Sequence, residues 1–232
     1  MPLPRLRTRF ATLSVLAAAA LLHTATAQAT DLGLSLDAGT TGVGAHLTMP
    51  LVPSINFRTG MNYLSHSFGR SVNDLDYDLK LKLHTVDLLA DWYVSPASQF
   101  RVTGGAIYNN SRFDALALTD ANGNYRVNGR TYPGALVGKV SGKIDFRKTA
   151  PYLGIGWGNA IGPGSKWRFN ADLGAIFQGQ PKVRLSNTGC TAPAPACAML
   201  AADVSAQQDS LADDVDSFRV YPVLRVGLSY QF

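Results

Sequence analysis

The chain has 232 residues and a mass of 24.8 kDa, room for one domain or two very small ones. Charged residues are only 16% against 46% hydrophobic and 9% aromatic, and a mean hydropathy of +0.02 excludes a bundle of membrane helices, while apolar residues recurring along the chain exclude disorder. The net charge of +5 does not point to nucleic acid, because Arg5, Arg7 and Arg9 supply much of it from the extreme N-terminus.

Those three arginines form the positive start of an export signal. Residues 10–22 are an apolar run of 13 residues, too short to span a bilayer core of about 30 Å. Ala25-Thr26-Ala27 then fits the small-x-small cleavage rule, so residues 1–27 read as a cleaved signal peptide. Cleavage leaves 205 residues, 28–232, with 18 Lys and Arg against 16 acids, a net charge of only +2. No Cys lies in the signal, which argues against a lipoprotein.

From there the chain alternates. Residues 32–38 and 43–51 flank Gly39-Thr40-Thr41-Gly42, a tight hairpin. After Val52-Pro53-Ser54, Ile55, Phe57, Thr59, Met61 and Tyr63 alternate with Asn56, Arg58, Gly60 and Asn62. A longer connection at about 69–75 leads into 75–93, where the apolar phase breaks. Leu79, Leu81 and Leu83 are odd, whereas Val86, Leu88, Ala90 and Trp92 are even, which predicts a β-bulge near His84–Thr85 or the end of a lipid-facing stretch. Pro96-Ala97-Ser98 turns the chain into a strand over 100–108. The long connection 112–147 carries Asn-Gly and Pro-Gly turns and reads as irregular, with room for a small hairpin of its own. Strands at 153–157 and 167–177 follow, joined by Gly162-Pro163-Gly164-Ser165.

The third long connection, 179–217, holds both cysteines. In an exported chain Cys190 and Cys197 are expected to form a disulfide. Beyond them Leu200, Val204, Leu211 and Val215 share one helical face and five Asp lie elsewhere, the pattern of a short acidic amphipathic helix covering the outer mouth. The last 15 residues then alternate strictly. Phe218, Val220, Pro222, Leu224, Val226, Leu228, Tyr230 and Phe232 form one face, and the other is mixed and polar-leaning. Soluble strands seldom run so long.

No stretch of 18 uninterrupted apolar residues follows Ala27. Long alternating segments without apolar helices predict an all-β fold, an eight-stranded antiparallel up-and-down transmembrane β-barrel with one short helix in an extracellular loop. Short and long connections alternate, which places the short turns and both termini in the periplasm. By parity Arg58, Arg101, Arg168 and Arg225 point inward, with Asp87, Asp91 and Asp172 as their acidic counterparts. An eight-stranded ring is just filled by side chains, so this set predicts a paired charge network that plugs the lumen, or else a narrow polar conduit. Trp92, Tyr93, Phe100, Trp167, Tyr230 and Phe232 are expected in the periplasmic aromatic belt, and Tyr63, Tyr108 and Phe177 in the outer one.

Catalysis is not expected. Ser65-His66-Ser67 sets Ser beside His, but neighbours in a strand face opposite sides. There is no nucleophile elbow, HExxH motif or metal-ligand spacing, and no cofactor is expected. The glycines at 154, 156 and 158 read as strand glycines that make room for lumen side chains, not as a phosphate loop.

The ending carries a resemblance. Arg225, Gly227, Leu228, Tyr230 and Phe232 match the terminal signal of outer-membrane barrels: polar, x, Gly, apolar, x, aromatic, x, Phe. The mature chain resembles the small Gram-negative outer-membrane barrels of OmpW-like or OmpA-like type. The stretch 145–159, DFRKTAPYLGIGWGN, is similar to an uncharacterised group among them. The resemblance implies an outer-membrane location, contact with outer-membrane lipid and lipopolysaccharide, and recognition by periplasmic chaperones and the barrel assembly machinery. It brings no established substrate. The Cys-bearing helical loop departs from the better-known types, and with no peptidoglycan-binding domain after Phe232, wall anchoring of the OmpA kind is not expected. A structural barrel or narrow porin-like passage is the expected role, acting as a monomer. Surface binding through the long loops is the rival, and a lipid-modifying enzyme a more distant one.

Overall fold

The structure, a computed structural model, describes residues 31–72, 75–95 and 97–232. The signal-peptide reading of 1–27 lies outside the described residues. Eight strands close a ring: β1 (Gly33–Gly39), β2 (Gly42–Val52), β3 (Ile55–Val72), β4 (Leu75–Tyr93), β5 (Phe100–Asn109), β10 (Thr149–Trp157), β11 (Trp167–Phe177) and β13 (Val220–Gln231). Each is antiparallel to the next, and β13 pairs back to β1 from Gly33↔Gln231 to Gly39↔Arg225. The first hairpin turns on Thr40-Thr41, with Gly42 at φ +98, a conformation that suits glycine. Its tip is fastened to the closing strand: Thr40 N–H donates to Leu224 O at 2.9 Å and Tyr221 Oη to Thr40 O at 2.6 Å.

Alternation sorts the two faces. Along β4, Thr85, Asp87, Leu89, Asp91 and Tyr93 are buried inside, whereas Leu88 and Trp92 face out. The outward face is apolar all round, with Leu36, Val43, Met61, Leu88, Leu153, Leu173 and Val226 exposed on seven different strands. Single exposed apolar residues need no explanation, but a continuous belt of this size is an interaction surface. At the short-turn end Trp92, Trp167 and Phe232 face out, and Tyr230 meets Trp167 and Phe232 edge-on at 5.0 and 5.1 Å. Tyr63, Tyr108 and Phe177 face out toward the other end. Tyr93 departs from the expected belt: its odd position puts it inside, 3% exposed.

The phase break in β4 is not a bulge. Pairing with β3 runs without a register shift from Ile55↔Trp92 to Val72↔Leu75. Leu79, Leu81 and Leu83 share the inner face with Asp87. What changes at His84 is the surroundings. Above it the outer face turns polar, with Lys80 and Lys82, and the inner face turns apolar. The other reading, the end of the lipid-facing stretch, fits this geometry.

The long connections are also more ordered than the sequence suggests. β6 (Arg112–Ala117) continues β5 along β4, β9 (Lys139–Asp145) precedes β10 and pairs with β6, and β12 (Lys182–Thr188) follows β11 and pairs with β9. The wall therefore rises above the ring on this side. Between β6 and β9 lie the hairpin of β7 (Asn124–Val127) and β8 (Arg130–Pro133) and a single helical turn, α1 (Gly134–Val137). Helix α2 (Ala194–Asp214) begins earlier than expected, before Cys197 and not beyond it, directly after Pro193 and with Pro195 in its first turn, a position that tolerates a missing N–H. A 3-10 turn, Asp216–Arg219, leads into β13. Cys190 and Cys197 are disulfide-bonded, with Cα atoms 6.1 Å apart.

These parts share a core of their own, in which Leu200 and Val204 of α2 pack with Tyr125, Val127, Tyr132, Val137 and Val140. Val140 and Leu185 lie on the face that continues the lumen side of β4, so α2 sits on the inner side of the raised wall. The helix is not acidic all along its outside. Asp203 is buried and accepts from the Tyr132 hydroxyl, from Asn128 Nδ2 at 3.1 Å and from Arg130 Nη1 at 3.3 Å.

Candidate functional site: the ring interior

Two groups of charged side chains meet inside the ring. In the first, Arg58 and Arg101 share Asp91 and Asp172. Arg58 Nη1 donates to Asp172 Oδ2 at 2.7 Å and its Nε lies 2.9 Å from Asp91 Oδ2. Arg101 Nη2 donates to Asp172 Oδ1 at 2.7 Å, and its Nη1 bonds the Gly158 carbonyl. Thr103 Oγ1 donates to Asp91 Oδ1 at 2.6 Å. The four charges come from β3, β5, β4 and β11, so the cluster ties four of the eight ring strands together.

The second group forms around Asp87. Arg225 Nη1 donates to Asp87 Oδ2 at 2.7 Å and its Nε to Thr41 Oγ1 at 3.0 Å. His46 bridges two carboxylates, with Nδ1 2.7 Å from Asp37 Oδ2 and Nε2 2.9 Å from Asp87 Oδ2. Asn62 Nδ2 donates to Asp87 Oδ2 at 3.1 Å and to Thr85 Oγ1 at 3.0 Å. Three arginines and His46 face four aspartates, so the charges balance only with both nitrogens of the His46 imidazole protonated.

Small residues make this crowding possible. Gly60 lies between His46 and Asp87 in the β2–β3–β4 register. A Cβ there would sit 2.4 Å from His46 Cδ2 and 2.3 Å from the Ala45 carbonyl. At Gly156 a Cβ would lie 2.7 Å from the Arg101 guanidinium and 2.8 Å from Asp172 Oδ1. Leu89, Ile107, Ala150, Tyr152, Ile176 and Val223 form an apolar layer across the inside of five strands, on the long-loop side of Asp91 and level with Asp87, which pairs with Ile107 in register. Ionic and apolar groups share the interior, and each buried ion has an opposite charge within reach, which offsets part of the cost of its burial.

The structure thus brings together six of the seven charges that parity placed inside: Arg58, Asp87, Asp91, Arg101, Asp172 and Arg225. Arg168 is the exception. It sits close to the end of β11, nearer the 158–166 turn than the carboxylates, and donates to the carbonyls of Asn159, Gly162, Pro163 and Ser165. It clasps a turn instead of joining the network. Asp37 and His46 are members that the sequence reading missed. The available signal was the alternation of the first hairpin: carrying inside–outside parity through Gly39–Gly42 puts both on the lumen face. The expected assembly-signal residues occupy the ring-closing strand. Arg225 lies in the network, Gly227 packs against Asp37, Leu228 and Phe232 face out, and Tyr230 meets Trp167 edge-on.

Closure of the ring leaves none of its eight strands without two neighbours, and an apolar exterior around a polar, charge-paired interior is the architecture of outer-membrane β-barrels. No protein-family model matches the chain, and no curated protein does. Among solved structures it is similar to CarO of Acinetobacter baumannii, at 26% identity and a TM-score of 0.56, over 89% of this chain and 100% of CarO. It is similar to CarO2 of the same organism at 24% identity, with the same TM-score and coverage. A major outer membrane protein from Thermus thermophilus matches at 15% identity and a TM-score of 0.43, over 88% of this chain and 100% of that one.

Proposed function

We propose that the chain is an integral protein of the Gram-negative outer membrane, a structural barrel whose lumen is sealed. It is exported by a cleaved signal peptide and delivered by periplasmic chaperones to the barrel assembly machinery. Its apolar belt sits in outer-membrane lipid and lipopolysaccharide, and its short turns face the periplasm. The observation that carries the sealed reading is the stacking of two fillings: the shared Arg58–Asp91–Arg101–Asp172 cluster, and next to it the layer of Ile107, Tyr152 and Ile176, 0%, 3% and 2% exposed. A conduit for ions needs continuous polar space, and the buried apolar layer interrupts it.

The test is conductance of the refolded mature chain in a planar bilayer. Silence from protein shown to be folded is the expected result, and discrete open steps in the wild-type chain would replace the sealed barrel with a narrow passage. A second reading, binding at the cell surface, is favoured by the separate apolar core of the α2 and β7–β8 cap, which makes that surface a preformed one. Deleting the cap separates the two: ligand capture would vanish while barrel insertion persists.

A further inference from the structure

Three neighbouring strands of the wall break at one height. β5 and β6 are one strand interrupted at Asn110 and Ser111, since Asn109↔Thr85 and Arg112↔Lys82 keep the same register along β4. β9 and β10 are likewise interrupted at 146–148, and β11 and β12 at 178–181. The aligned interruptions leave a cleft of about 750 Å³ in the side of the wall. Its floor includes Asn109 and Gln178, both buried and joined by a hydrogen bond from Asn109 Nδ2 to Gln178 Oε1 at 3.2 Å.

The lining is basic. Register places Arg112 and Lys182 in one cross-strand row and Lys143 and Arg184 in the next, all on the outer face of the raised wall. Arg147 and Lys148 join them from the connector between β9 and β10. Asp145 is the acid among these lining residues, and its carboxylate is shared by Lys143 at 3.2 Å and Arg184 at 3.6 Å. Arg112 pairs with Asp114, outside the lining. Among the described residues Arg147, Lys148 and Lys182 make no ion pair. Six cations facing one anion repel one another, and a walled concavity concentrates that positive potential.

We infer that this cleft is a binding site for a ligand carrying several phosphate groups. Its height points to the source. Asn109 directly follows Tyr108 and Gln178 directly follows Phe177, the outward aromatics at the upper edge of the apolar belt. Arg112, Lys143, Lys182 and Arg184 therefore face outward immediately above that edge, with Arg147 and Lys148 lining the same cleft, at the level where the phosphates of an outer-leaflet glycolipid lie. The lipid source rests on the outer-membrane reading; the affinity for phosphate does not.

The test uses the full mature chain refolded in detergent, with folding verified by heat-modifiable gel mobility. Binding is titrated with three probes: lipid A bearing both phosphates, dephosphorylated lipid A, and inorganic tripolyphosphate. The variant is Arg147→Ala/Lys148→Ala/Lys182→Ala, and the control is Arg126→Ala/Lys139→Ala, which removes two cations elsewhere in the upper part of the chain. Lipid A with both phosphates is expected to bind at least about tenfold more tightly than its dephosphorylated form, and the triple variant to lose that preference while the control keeps it. If tripolyphosphate binds the wild type and not the triple variant while lipid A shows no preference, the site stands with a soluble phosphate ligand as its source. If no probe distinguishes the triple variant from the wild type, the site is overturned. A chain that fails to fold in detergent counts against the membrane reading and is seen in the mobility assay, separately from any titration.

Discussion

Asp172 receives hydrogen bonds from two guanidinium groups, so removing it leaves Arg58 and Arg101 with Asp91 as the one carboxylate between them in a buried site. Asp172→Ala should cost about 3–5 kcal/mol, read from denaturant unfolding of the refolded chain in detergent. A wild-type unfolding curve would show that the cluster contributes little. Space matters as much as charge. Gly60→Ala pushes a methyl group against His46 and the Ala45 carbonyl and should cost about 1–3 kcal/mol in the same assay. Gly104→Ala is the control, because nothing lies within 4 Å of its Cβ position and its stability should hardly change. Equal losses at the two glycines would mean that backbone freedom, not crowding, is what they supply.

At the scale of elements, helix α2 is held by Leu200 and Val204 in the cap core and by polar contacts with the hairpin. The Tyr132 hydroxyl, followed by the Asn128 side chain and Arg130, holds the Asp203 carboxyl below its ordinary value. Burial pushes the Tyr132 phenol up, and its bond to Asp203 pushes it further. A carboxyl whose value is lower in the folded state stabilises fully above the ordinary carboxylate range, and that stabilisation is lost as the pH falls through the folded value. Helix α2 should therefore stay docked at neutral pH and loosen as the pH drops below about 4. Amide hydrogen exchange, corrected for intrinsic rates, would show faster opening of α2 at acid pH while the ring amides stay protected. Asp203→Asn should flatten this dependence, and an unchanged profile would assign it to other groups.

For the whole molecule, the apolar belt decides where the chain can live. Leu173 faces out on β11 between Trp167 and Phe177, and Leu116 faces out on the raised wall. If the belt is the membrane-spanning zone, Leu173→Arg should cost about 2–4 kcal/mol in lipid vesicles, whereas Leu116→Arg should cost about 0–1 kcal/mol. Similar small costs at both positions would place the ring outside lipid.

Much of this molecule was legible in its sequence because a strand's side-chain period is local. The alternation of Phe218 to Phe232, the Arg58 face of β3 and the odd aspartates of β4 declared themselves without any knowledge of partners, and so did the turns between them. The sequence alone determined which faces are apolar, which charges point inward, and that Cys190 and Cys197 stand close enough to join. Only the tertiary structure decided who meets whom. His46 and Asp37 enter the network because register sets Gly60 between His46 and Asp87 and leaves the space open. Arg168 leaves the network because its height matches a turn and not a carboxylate. The leucines of β4 change company at His84 because the outer face there passes from the apolar belt to Lys82 and Lys80. The cleft exists because three strands, far apart in sequence, break at the same height. Pairing register and height are relations between distant segments, and no local period encodes them.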